Sequence, residues 1–147
     1  GNVVCKIASL RMFSGKSYIR EMERYNLDLE KYGLDICILG VGKDGHIGFC
    51  HPPINNMLES YYVSLDLSEA KKKEHVNNGW FLSVDDVPNS VITLSLWGIF
   101  QSSIIMLGAV YEDKKDIITK LLYQKGKYQE CPVLYLCNHS NFNIYLG

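Results

Sequence analysis

The sequence predicts an α/β fold with a mostly parallel sheet flanked by helices, in a Rossmann-like three-layer arrangement. Short apolar runs alternate along the chain with amphipathic helical patterns, an order typical of layered α/β folds. The first run, Asp35 to Leu39, is apolar after its aspartate and predicts a strand buried on both faces of a parallel sheet. A glycine-rich segment follows, at the position where such sheets bind ligands beyond the carboxyl ends of their strands.

The helices are predicted from spacing and capping signals. Over residues 17–32 the apolar side chains recur every three or four positions and share one face: Tyr18, Met22, Tyr25, Leu29 and Tyr32. Ser17 can cap the start of this helix, and Gly33 can end it. A capping-box pattern opens a second short helix over residues 66–73. A third helix is predicted over residues 113–123.

The remaining apolar runs predict further strands, at residues 61–65, 90–96, 104–108, 133–137 and 143–146. The chain has 147 residues, which is the size of one ordinary domain. Residues 1–147 are therefore interpreted as a single α/β domain.

Composition excludes several function classes. Hydrophobic residues make up 47% and charged residues 21% of the chain, values typical of a globular rather than a disordered protein. The net charge is −1 and the basic residues form no stripe, so no nucleic-acid partner is predicted. No apolar run approaches the roughly 18 residues of a membrane span, so no membrane partner is predicted. The five cysteines contain no C-x-x-C pair, and a reducing, cytoplasmic location is predicted. No set of cysteine, histidine and carboxylate residues has zinc spacing, so no metal site is predicted.

The segment from Gly40 to Pro53 is the most unusual in the sequence. Its first glycines match the G-x-G-x-x-G fingerprint of dinucleotide-binding proteins. That fingerprint opens a helix, however, and the nearby Pro52-Pro53 pair disfavours one. Nucleotide binding is therefore the weaker interpretation.

The same segment fits a general acid–base site. His46 can move a proton, because an imidazole ordinarily titrates close to neutral pH. Asp44 lies two residues away and could orient the ring from the same side of an extended loop. The alternative is a plain loop in which Asp44 makes a turn hydrogen bond and His46 faces solvent. Residue types alone leave both interpretations open.

The segment Leu-Gly-Val-Gly-Lys-Asp-Gly-His-Ile-Gly-Phe, ending at Phe49, resembles the signature of glucosamine-6-phosphate deaminases. Residues 87–93, 104–108 and 134–139 resemble later segments of that family in the same order. The wider group also includes galactosamine-6-phosphate isomerases and 6-phosphogluconolactonases. The sequence Ile-Gly-Phe after His46 favours the deaminase branch over the lactonases.

The resemblance implies an amino-sugar-phosphate deaminase/isomerase that converts glucosamine 6-phosphate to fructose 6-phosphate and ammonia without a cofactor. It implies that His46 promotes ring opening and that Asp44 orients it. His51 stands where the family has a glutamate, the third member of the relay. The substrate-binding residues that the resemblance implies are Gly42, Gly45, Lys71, Lys114 and Lys115.

One part of the family pattern is missing. The family's phosphate-binding loop and its proton-abstracting aspartate lie well before the Asp-Gly-His motif, and the residues before Asp44 match neither. The chain is therefore interpreted as the C-terminal portion of a longer domain that lacks the N-terminal part of the fold. Two alternatives are a 6-phosphogluconolactonase-type hydrolase and a non-catalytic sugar-phosphate-binding relative. The expected partners are a phosphorylated sugar and a second copy of the chain.

Overall fold

The computed structural model describes residues 17–55, 57–109 and 112–147. Its helices are α1 (Tyr18–Tyr32), α2 (Glu69–Asn77), α3 (Leu96–Phe100) and α4 (Lys115–Tyr123). Its strands are β1 (Ile36–Gly40), β2 (Tyr62–Asp66), β3 (Ser90–Leu94), β4 (Ile104–Ala109) and β5 (Phe142–Leu146). The absence of a phosphate-binding loop before Asp44 was predicted partly from residues 1–16, which lie outside the described residues.

The main sheet is parallel and has three strands in the order β1-β4-β5. Ile36 pairs with Ile104 across the first ladder, and Ile105 pairs with Phe142 across the second. Strands β2 and β3 form a separate antiparallel pair. The predicted α/β fold with a mainly parallel sheet flanked by helices is confirmed, although residues 61–65 and 90–96 do not join the parallel sheet.

The core lies on one face of the parallel sheet. Ile105 and Leu107 of β4 are completely buried there, together with Val133 and Leu136 from the segment before β5. Alternation along the strands points the other residues to the opposite face.

On that opposite face, Ile36 is 52% exposed, Ile38 is 78% exposed and Tyr145 is 53% exposed. We call this surface, formed by Ile36, Ile38, Ile104, Met106 and Tyr145, the open face. The prediction that the first strand is buried on both faces is therefore wrong. Cys37 is buried on the core side, but its two isoleucine neighbours are exposed.

A second correction concerns residues 133–137, which were predicted as a strand. Residues Pro132–Asn138 form a 3-10 helix instead, with proline in its first turn. Proline fixes φ near the helical value and has no N–H to lose, so it suits this position. The Val133 N–H donates to the carbonyl oxygen of Gly45 at 2.9 Å rather than to a neighbouring strand.

Local capping explains where other elements begin and end. Ser95 ends the extended segment predicted for residues 90–96, because its hydroxyl accepts the Gly98 N–H at 2.8 Å and begins α3. Ser68, rather than Asp66, caps α2, and that helix continues to Asn77. Gly33 ends α1 as predicted, with φ at 73° and its N–H bonded to the Leu29 carbonyl. Among the described residues no helix is both long and apolar enough to cross a membrane.

Candidate active site

The glycine-rich segment folds as a tight loop directly after β1. The Gly42 N–H donates to the His46 carbonyl at 3.0 Å, and the Gly45 N–H donates to the Gly42 carbonyl at 3.0 Å. Gly45 has φ at 83°, a value that favours glycine. A side chain at Gly42 would overlap the His46 imidazole. Both glycines are therefore needed to bring His46 back over the loop.

Asp44 fixes the orientation of the His46 ring. Its Oδ1 lies 2.5 Å from Nδ1 of His46 and also accepts the His46 backbone N–H at 3.1 Å. With a proton on Nδ1, the Nε2 atom carries the lone pair of the neutral ring. The His46 side chain is 26% exposed, so a ligand can reach it. This arrangement favours the acid–base interpretation over the plain loop.

The charge of Asp44 is stabilised by its neighbours. Burial alone would raise its pKa. The side-chain and backbone hydrogen bonds of His46, and the charges of His46 and Lys71, instead hold the pKa of Asp44 well below its usual range. The Lys71 ammonium lies 3.4 Å from Asp44 Oδ2 and 2.8 Å from Glu74 Oε2. Asp44 is therefore ionised throughout the neutral pH range and can stabilise an imidazolium.

His51 lies beside this pair. Its ring centroid is 4.2 Å from that of His46, and its Nδ1 is 3.6 Å from Asp44 Oδ2. Burial, followed by the charges of His46 and Lys71, lowers the pKa of His51 to about 4, although Asp44 acts in the opposite direction. His51 is therefore neutral near pH 7. The ligand atoms of Asp44, His46 and His51 all lie within 4.8 Å of one another, so these three residues could hold a metal ion.

The structure thus places Asp44, His46, His51 and Lys71 in one cluster. Lys114 and Lys115 lie at the start of α4, beyond the carboxyl end of β4. Strands β1 and β4 are parallel, so these lysines share a sheet edge with the glycine-rich loop. The side chains near the Asp44 carboxylate are those of His46, His51 and Lys71. The substrate contacts of Lys114 and Lys115 stay predictions.

Sequence reasoning assigned no role to two residues that support the loop. The Thr93 hydroxyl accepts the Phe49 N–H at 3.3 Å from β3. Cys131 lies against Gly45, where an added Cβ would come 2.5 Å from its Sγ. Thr93 lies within residues 87–93, which resemble a segment of the deaminases, and this resemblance was the one signal in the sequence that pointed to it. Nothing in the local sequence marked Cys131.

A cavity of about 420 Å³ borders the cluster on the side of His51 and Lys71. Its other walls are largely apolar and include Phe49, Met57 and Leu65. Asp44 and His46 do not line it. This cavity alone therefore does not account for a sugar-phosphate site, since such a ligand needs several polar partners and access to the His46 ring.

Comparisons with known proteins identify similar chains. No family model matches. The glucosamine-6-phosphate deaminase of Malacoplasma penetrans is 35% identical over 127 residues, which cover 86% of this chain and 51% of that protein. The glucosamine-6-phosphate deaminase of Staphylococcus aureus strain Newman is 39% identical over the same length and is covered to 48%. The chain therefore spans about half the length of the curated relatives it matches.

Solved structures give the same result for the fold. A monomeric glucosamine-6-phosphate deaminase of the NagB superfamily superposes with a TM-score of 0.73 and 28% identity, covering 90% of this chain and 54% of that one. A 6-phosphogluconolactonase from Shewanella baltica superposes with a TM-score of 0.63 at 18% identity, which shows likeness of fold alone. The resemblance to glucosamine-6-phosphate deaminases stated from the sequence is confirmed.

Proposed function

We propose that this chain carries the acid–base loop of an amino-sugar-phosphate deaminase/isomerase, which converts glucosamine 6-phosphate to fructose 6-phosphate and ammonia. The observation that supports this most directly is the pair of hydrogen bonds by which Asp44 holds His46 after β1. Relatives that are 35% and 39% identical over 86% of the chain bear the name of that activity. We further propose a cytoplasmic location, where such a metabolite would be met.

The geometry suits the opening of the sugar ring. In the proposed step, Nε2 of His46 takes the proton of the anomeric hydroxyl as the C1–O5 bond breaks, and returns a proton to O5. The transient imidazolium is stabilised by Asp44, whose carboxylate already faces Nδ1. The product of this step is the open-chain aldehyde with no net change in protons.

The later proton transfer from C2 to C1 needs a further base. In the family pattern that base is an aspartate that lies before the Asp-Gly-His motif. We propose that the base and the phosphate-binding loop belong to the part of the relatives' fold that this chain does not match. Lys71, Lys114 and Lys115 are proposed to contact the substrate's phosphate or hydroxyls. Gly42 and Gly45 are proposed to let the loop backbone approach the sugar.

His51 supports a second candidate function. It stands at the position of the family glutamate and is neutral near pH 7, so it cannot supply the negative charge of that relay member. A relative that binds sugar phosphates without catalysis is therefore the alternative. It predicts ligand binding with intact folding and no product.

The test is a product assay for fructose 6-phosphate and ammonia. It is performed on the chain alone and on the chain mixed with the half of the Staphylococcus aureus deaminase that the chain does not match. We expect turnover of glucosamine 6-phosphate in the mixture and its loss in His46→Ala, with folding checked by circular dichroism. Turnover of 6-phosphogluconolactone instead would support the lactonase alternative. A thermal shift with sugar phosphates but no product would support the non-catalytic alternative.

A further inference from the structure

We infer that Asp44, His46 and His51 form a binding site for a divalent transition metal of the Zn²⁺ type. Two imidazoles and a carboxylate are a donor set that such metals favour. Asp44 Oδ1 lies 2.5 Å from His46 Nδ1, Oδ2 lies 3.6 Å from His51 Nδ1, and all three ligand atoms lie within 4.8 Å. Ligand atoms bonded to one zinc ion at about 2.0–2.1 Å stand about 3–4 Å apart, so modest side-chain rotations complete the site.

A second observation points to a cation at the same place. The Nδ1 atom of His51 is buried and has no hydrogen-bond partner among the residues that the structure describes. A buried ring nitrogen without a partner calls for a specific explanation. The carboxylate oxygen Oδ2 of Asp44 lies 3.6 Å from it, beyond hydrogen-bonding distance. A metal ion between the two atoms would accept both lone pairs.

Lys71 competes for this position but has another partner. Its ammonium lies 3.4 Å from Asp44 Oδ2 and only 2.8 Å from Glu74 Oε2. A metal ion can therefore displace the longer contact and leave the shorter one intact. Removing the ammonium should strengthen metal binding, because two cations near one carboxylate repel each other.

The consequence for activity rests on the proposed function. A metal bound to His46 Nδ1 moves the ring proton from Nδ1 to Nε2, so Nε2 no longer has the lone pair that takes the proton of the anomeric hydroxyl. The metal thus acts as an inhibitor of the loop and not as a cofactor of the reaction.

The test uses the chain after treatment with a chelator. Co²⁺ binding is followed by visible absorption and Zn²⁺ binding by calorimetry. We expect one saturable site, a loss of affinity of at least tenfold in His51→Gln and in His46→Gln, and tighter binding in Lys71→Gln. His139→Gln removes an imidazole outside the cluster, one that contacts the Ser102 carbonyl, and should bind as the unchanged chain does.

Absence of saturable binding, equal affinity in His51→Gln, or thiolate-to-cobalt charge-transfer absorption would each overturn the inference. The last result would place the metal on cysteines. These measurements do not depend on turnover, so a failed deaminase assay leaves them unaffected.

Discussion

Replacing Gly45 with alanine tests the physical basis of the loop. The change forces a left-handed φ of 83° on a residue with a Cβ, which costs roughly 1–2 kcal/mol. The new Cβ would also come 2.5 Å from Cys131 Sγ, closer than real Cβ contacts allow. Overpacking of this kind typically costs about 1–3 kcal/mol. We therefore expect Gly45→Ala to lower the free energy of unfolding by about 2–5 kcal/mol, a sum of these two contributions.

Urea denaturation followed by circular dichroism measures this loss, and the chain contains a matched control. Gly79 also has a left-handed φ, at 76°, but an added Cβ there meets no atom within 4 Å. Gly79→Ala should show only the backbone contribution. In the Gly45→Ala variant, the further change Cys131→Ala should restore the stability lost to the overlap of Cβ with Sγ, but not the stability lost to the left-handed φ. Equal destabilisation by the two glycine substitutions would refute the claim that Cys131 confines the loop.

Three further predictions concern the charges and thiols of the site. The pKa of Asp44 is lower in the folded chain than in the unfolded chain. The stabilisation that its ionised carboxylate provides is therefore fully present at pH values above the unfolded-chain pKa of about 3.9, and it is lost as the pH falls through the folded-chain pKa. Urea titrations from pH 7 to pH 2 should show this loss, and Asp44→Asn should lack that part of the dependence. Lys71→Gln should raise KM for glucosamine 6-phosphate by roughly 10- to 150-fold, since hydrogen bonds to charged groups contribute roughly 1.5–3 kcal/mol. Lys73→Gln, on an exposed face of α2, should leave KM unchanged in the same assay. Burial raises the pKa of the Cys50 thiol to about 11, so iodoacetamide at pH 8 should alkylate Cys50 only after denaturation, as peptide mass spectrometry would show.

The elements predicted correctly are those whose signals are local. Helix α1 begins and ends within one residue of the predicted range, because apolar periodicity and Gly33 both act within the segment. The predicted strand at residues 133–137 was wrong because an apolar run alone does not distinguish a strand from a buried turn of helix. Pro132 and the hydrogen bond from Val133 to Gly45 decided the outcome, and that bond joins segments far apart in sequence.

The same distinction between local and distant contacts holds for the residues of the site. Asp44 and His46 are two residues apart and bonded to each other, so their spacing in sequence predicted their contact. Lys71 reaches Asp44 across 27 positions, through a strand pair and a helix that the sequence could not orient. Only the family resemblance suggested it. The open face was missed for a different reason: a continuous apolar strand predicts burial on both faces, but Ile36 and Ile38 of β1 are exposed in the part of the chain that the structure describes.

The exchange of an acid for an imidazole at His51 links the two chemistries of the cluster. A glutamate there would add a second negative charge near His46 and favour its protonated form. His51 is neutral near pH 7 and adds a lone pair instead of a charge. The cluster therefore keeps one carboxylate to orient the imidazole of His46, as the proposed ring opening requires. At the same time it gains a neutral nitrogen donor beside that carboxylate, which is what a divalent metal requires. The residue at position 51 thus affects both proton and metal binding at the cluster, because it decides whether a second charge or a neutral donor lies beside Asp44 and His46.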